Sequence, residues 1–200
     1  MLKPLFSFIF FCTCTISAFC QSDKEEITKT LASYFLAVTQ KDNAKTLDYI
    51  YPRLFEKFPK DKMLEALDKM ESDTAIIVTL DKGTITSISE TMELDGIKYA
   101  YIKYTFKMTM TIKADTTDSE ADGEGNLNSA DFTYELLKEQ FGEKQVQYDR
   151  EKSSFNVNMT ENYMYAINDP VYKGWTFLEK KPNLMPILGE LLPKKVLKKF

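Results

Sequence analysis

Across residues 98–113 the chain alternates in character at every step. Even positions read Lys98, Ala100, Ile102, Tyr104, Phe106, Met108, Met110 and Ile112, while Lys103, Thr105, Lys107, Thr109, Thr111 and Lys113 take odd ones. A period of two sustained that long fits a long strand with one buried face and one wet face. Asp95-Gly96, just before it, is a hairpin signal because both central residues of the tightest turns need positive φ. It pairs the long strand with one over about 84–94, and an earlier strand is expected over 75–80.

The segments on either side have a different period. Within 23–40, Ile27, Leu31, Tyr34, Phe35 and Val38 fall on one face of an amphipathic helix. A second helical pattern carries Leu47, Ile50, Tyr51, Leu54, Phe55 and Phe58, with Pro52 restarting it. A third follows Pro59, with Met63, Leu64, Leu67 and Met70 inward. Residues 114–131 are acidic and rich in Gly, Asn and Ser, and read as a loop. Phe132, Leu136, Leu137 and Phe141 then give a helix that Gly142 stops. Two further strands are expected over 154–167 and 172–179, joined by Asn168-Asp169-Pro170. The stretch 184–200, broken by Pro186 and Pro193, reads as one or two short helices. The expected fold class is α+β: N-terminal helices packed on a curved, cone-like antiparallel sheet, closed by short C-terminal helices.

The first twenty residues read as a removable export signal. Lys3 is followed by an uncharged apolar run from Leu5 to Phe19, and the polar run from Gln21 to Glu26 ends it too early for a membrane span. Ala18 and Cys20 satisfy the small-residue rule before a cleavage point, so Gln21 is the expected mature N-terminus and residues 21–200 a single domain without an integral membrane span. The location implied is periplasmic or extracellular. The rival reading makes Cys20 a lipid anchor, with Phe19 in the place where a small residue is usual.

All three cysteines, Cys12, Cys14 and Cys20, lie in this segment, so cleavage leaves no thiol for a disulfide, a metal or a nucleophile. There is no histidine at all. That removes the commonest general base, the commonest zinc ligand and the usual nucleophile partner. Removal of Lys3 with the signal leaves 25 basic residues against 30 acidic ones, a balance that disfavours nucleic-acid binding.

The Tyr34-Phe35-Leu36-Ala37-Val38 run with Lys41-Asp42 closing the first helix, the aromatic second helix, and Trp175-Thr176-Phe177 in the last strand together resemble the nuclear transport factor 2-like superfamily. That superfamily includes ketosteroid isomerase and SnoaL-type cyclases. The resemblance implies a cone-shaped α+β fold, and no catalytic motif of the superfamily carries over to this sequence. Tyr172-Lys173-Gly174-Trp175 and the Leu192–Leu197 run also resemble small secreted bacterial proteins of unknown function.

Chemistry is left to carboxylates and hydroxyls. Glu90 alternates in step with Ile88, Met92 and Leu94, and Glu161 with Phe155, Val157, Met159, Tyr163, Tyr165 and Ile167. Aimed into a cavity beside Tyr104 and Tyr163, either acid would gain a raised pKa and form the acid-plus-tyrosine pair of an isomerase. Tyr104, Tyr163 and Trp175 are the expected ligand wall. Asp118, Glu120 and Asp122, with Gly123, match the opening of a calcium loop, but Ser129 stands where its bidentate Glu is needed. No cofactor is expected. The function these features favour is a non-catalytic exported domain holding a small apolar ligand or a protein partner in a sheet-and-helix cavity. An acid/base enzyme built on a pocket Glu and Tyr is the alternative.

Overall fold

In the computed structural model, the described residues are 15–72, 76–81, 83–112 and 130–200, with side chains of the first helix described from Ser22 onward. The apolar run of residues 5–14 therefore lies outside them, as do most of the acidic stretch and all three metal candidates.

The described residues open with helix α1 (Thr15–Thr39). It ends where Lys41 takes a left-handed φ of 58° and the Asp42 amide returns to the Ala37 carbonyl at 3.0 Å. The Asp42 side chain then accepts from the Lys45 amide at 3.0 Å and caps the short α2 (Asn43–Asp48). The second helix stops there, earlier than its periodicity predicts. Pro52 pushes Tyr51 into an extended conformation, so residues 49–51 run beside the last strand. The Phe177 amide donates to the Tyr49 carbonyl (2.8 Å) and the Tyr51 amide to the Phe177 carbonyl (3.1 Å). A 3-10 turn (Pro52–Glu56) leads to α3 (Lys60–Ser72), whose expected inward face is only partly covered: Met63, Leu64 and Leu67 are half-buried and Met70 is exposed.

Among the described residues, seven antiparallel strands form one sheet. β1 (Ile76–Leu80), β2 (Thr84–Ile88) and β3 (Met92–Leu94) follow one another along one edge of the long β4 (Ile97–Ile112). They are the expected hairpin partner of β4, broken twice. The turn is the one Asp95-Gly96 predicts, with both φ values positive, at 54° and 78°. Helix α4 (Ala130–Phe141) ends at Gly142, whose φ of 94° suits a residue without Cβ. β5 (Val146–Asp149), absent from the sequence reading, pairs with the start of β6 (Ser154–Asn168), and β7 (Thr176–Glu179) with its end. Two short helices, α5 (Met185–Leu191) and α6 (Lys194–Lys199), finish the chain, each opened by its proline.

β4 does have one apolar face of even positions. Ala100, Ile102 and Tyr104 lie under Ile27, Leu31, Tyr34 and Phe35 of α1, and Met108 and Met110 join the cluster around Leu137 of α4. The odd face is only half wet, however. Tyr99 and Tyr101 pack with Tyr165, Ile167 and Leu178 against Leu188, Leu191, Leu192 and Val196 of the C-terminal helices. The sheet is thus buried on both sides at one end, with helices of opposite chain termini on its two faces. Each large apolar side chain so buried contributes about 1.5–3 kcal/mol. Phe35 comes close enough that a Cβ added at Gly83 would lie 2.7 Å from its ring, which accounts for a glycine between β1 and β2.

Candidate functional site

The expected site rests on Glu90, Glu161 and three aromatic residues, and the sheet register decides where each goes. In β6 the pairing steps from Tyr104 with Asn162 to Phe106 with Met159, so β6 spends three residues where β4 spends two. This bulge splits the face expected for β6. Phe155, Val157 and Met159 align with Met110, Met108 and Phe106, whereas Tyr163, Tyr165 and Ile167 align with Lys103, Tyr101 and Tyr99 on the other side. Glu161 sits at the bulge with its side chain 60% exposed, where it accepts from the Lys103 ammonium at 2.6 Å and from the Tyr163 hydroxyl at 3.3 Å. Lys103, first, and then Tyr163 hold its carboxyl below the usual range, the reverse of the raised value a general base here would need.

Glu90 falls in the break between β2 and β3. The Ser89 hydroxyl takes the Tyr101 amide at 2.9 Å and the Ser89 amide donates to the Tyr101 carbonyl, which interrupts the alternation and turns Glu90 outward. Its side chain is 69% exposed and pairs with Lys24 of α1. Glu90→Met is therefore expected to shift the urea midpoint by less than the equivalent of about 0.5 kcal/mol. A loss beyond about 1.5 kcal/mol would show that Glu90 anchors a buried network instead.

Tyr104 and Trp175 do meet in one cluster beneath α1, whereas Tyr163 lies on the opposite face, stacked 5.4 Å from Tyr101. Tyr101 stacks in turn on Phe200 at 5.6 Å, and burial, with a smaller contribution from Tyr163, pushes its hydroxyl up to about 12. Asp118, Glu120 and Asp122 lie outside the described residues. Among the described residues no three side chains able to ligate a metal converge.

The carboxylate that meets buried tyrosines is Glu179, which sequence reasoning missed. β7 alternates, so Phe177 and Glu179 share the α1 face while Leu178 turns to the C-terminal helices. Glu179 accepts from the Tyr104 hydroxyl at 3.4 Å and from Lys181 at 2.5 Å. Burial, reinforced by the negative charge of Glu179, holds the hydroxyls of Tyr34 and Tyr104 far above the usual phenol range, so both stay protonated. A second missed carboxylate, the buried Asp169, accepts from the Tyr51 hydroxyl at 2.8 Å and from the Val171 amide at 3.0 Å. The Asn-Asp-Pro sequence was its signal, as aspartates in turns commonly bond the amide two residues on.

Along the rim, α1 is tied to the sheet by polar contacts. Lys98 donates to both oxygens of the buried Asp23 at 2.9 and 3.1 Å, Thr91 donates to the same carboxylate at 3.2 Å, and the Trp175 indole donates to Glu26 at 3.3 Å. Between these ties the interior is occupied by side chains. Ile27, Leu31, Tyr34, Phe35, Ile102, Tyr104, Met164, Trp175 and Phe177 are each at most 8% exposed. Two open concavities lie elsewhere on the described surface. One of about 490 Å³ runs along α4, lined by Phe132, Glu135, Leu136, Lys138, Glu139 and Glu143. Another of about 330 Å³ lies over the bulge, between Asp81, Thr105, Lys107 and Asn158.

No known protein family, no curated protein and no solved structure matches this chain.

Proposed function

We propose that this chain is an exported, non-catalytic domain that acts by holding a protein partner at its surface. The observation that carries the reading is the packed interface between α1 and the sheet, where the ligand-wall residues Tyr104 and Trp175 are core residues at 3% exposure. Glu90 and Glu161 are surface ion pairs. Neither acid has the desolvated setting that proton abstraction at neutral pH requires. Export is supported by the sequence of residues 1–20, where Lys3 precedes an uncharged apolar run and Ala18 and Cys20 suit a cleavage point. The helix lying across an antiparallel sheet supports kinship with the nuclear transport factor 2-like superfamily at the level of architecture.

Titration with an apolar fluorescent probe such as 1-anilinonaphthalene-8-sulfonate, read through Trp175 emission, tests the reading. Non-saturable, weak binding is expected. Saturable binding of one probe per chain, with Trp175 responding, would favour a ligand carrier instead.

One observation favours the second reading, an acid/base enzyme: the contact of the Tyr104 hydroxyl with Glu179 is the phenol-carboxylate pair such chemistry uses. In that case Glu179→Gln would abolish turnover of an enolisable ketone while leaving the fold intact. As the tyrosine already donates to Glu179 and Lys181 occupies the same carboxylate, the pair reads first as a tie between β4 and β7.

A further inference from the structure

Helix α6 carries its charge on one side. α6 holds Lys194, Lys195, Lys198 and Lys199, all exposed, within six residues that contain no acid. At 100° per residue the four lysines span an arc of about 140°, with Val196 and Leu197 on the opposite side. Val196 is fully buried against the sheet cluster of Tyr165, Leu178 and Leu192, so the body of the protein fixes which way the lysine face points.

Among the described residues, no carboxylate neutralises the charge on this face. The carboxylates of the surrounding elements are engaged by other cations: Glu190 by Lys57 at 2.6 Å, Glu179 by Lys181 at 2.5 Å and Glu161 by Lys103 at 2.6 Å. None of the four lysines forms a salt bridge with a described residue, while Lys180, the other cation at this end, is held by the Phe200 carbonyl at 2.8 Å. The rest of the chain is acidic: setting the four lysines aside leaves 22 basic residues against 30 acidic ones. An anionic surface would therefore repel most of the molecule and attract this face.

We propose that α6 is a docking face for an anionic lipid bilayer, which the domain meets edge-on through Lys194, Lys195, Lys198 and Lys199. A rigid, outward array of four ammonium groups fits a flat, laterally continuous field of negative headgroups better than a single anion, which would engage one or two of them. Helix α6 is too short and too charged to insert, so the contact is electrostatic and sensitive to salt.

The test is co-sedimentation of the full chain with vesicles of phosphatidylcholine alone or with one-third phosphatidylglycerol. Because binding through the apolar N-terminal run would be indifferent to lipid charge, the readout is the ratio of the two partition coefficients. With each of the four lysines near such a surface adding about fivefold, a ratio of roughly 600 is expected at low salt. It should collapse toward one in half-molar sodium chloride and in the K194Q/K195Q/K198Q/K199Q variant, and persist in the corresponding all-arginine variant, which also controls for folding. A ratio near one for the natural chain, or an undiminished ratio in the glutamine variant, would overturn the proposal. So would release from vesicles by equimolar polyglutamate, which would identify an acidic polypeptide as the better occupant.

Discussion

Phe177→Ala is expected to remove about 3–5 kcal/mol of stability, a large share of the 5–15 kcal/mol that holds a domain of this size together. Phe177 is 1% exposed, and its ring lies 5.8 Å from that of Tyr34 in the cluster joining α1 to the sheet. Its backbone also holds residues 49–51 through two hydrogen bonds. The ring deletion leaves those bonds but opens a cavity between α1 and β7, and the aromatic neighbours around it can close the gap only in part. Val171→Ala, at a side chain 78% exposed, should change stability by less than about 0.5 kcal/mol. Urea denaturation followed by Trp175 emission compares the two. Equal, small shifts would mean that α1 is not seated on β7.

The second large effect is expected at high pH. Tyr34 and Tyr104 keep their protons in the folded protein far above the pH at which a free tyrosine loses its own, because burial and then the charge of Glu179 oppose ionisation. Below about pH 10 both folded and unfolded chains hold these protons and the contribution to stability is complete. Above it, the unfolded chain releases them and the folded chain does not, so each of the two tyrosines costs about 1.4 kcal/mol of stability per further pH unit. The loss runs upward from the unfolded value toward the folded one. Absorbance at 295 nm and far-ultraviolet circular dichroism, recorded together between pH 9 and 12, should show a set of tyrosines that ionise only as helix is lost. Free, reversible ionisation of all eleven tyrosines near pH 10, with the helix signal intact, would contradict their placement.

Much of the scaffold was legible because its signals are local. The alternation through β4, the Asp95-Gly96 turn and the four-three spacing of Ile27, Leu31 and Tyr34 each report what their own backbone does. What failed depended on pairing with distant segments. Residues 49–51 are strand-like because Phe177 offers them partners, and β5 exists because β6 has a free edge there. The wet face assigned to β4 is half buried because helices nearly ninety residues further on fold back over Tyr99 and Tyr101.

The candidate site suffered most, since a period-two argument survives only while register is unbroken. One extra residue in β6 sends Tyr163 to the face opposite Tyr104, and the break at Ser89 turns Glu90 to solvent. Neither irregularity has a glycine or proline to announce it. Glu179 was readable in principle, because it keeps step with Phe177 at the end of a strand. Lys180 and Lys181 follow it directly, a pattern common at solvated strand ends.

That the space between α1 and the sheet is filled by the protein's own side chains is tested most directly by a crystal of the protein pressurised with xenon. Xenon enters dry apolar cavities large enough to hold it. The expected map shows no xenon among Ile27, Leu31, Tyr34, Tyr104, Trp175 and Phe177, whereas an ordered peak there would reveal a ligand cavity and contradict the packed interior.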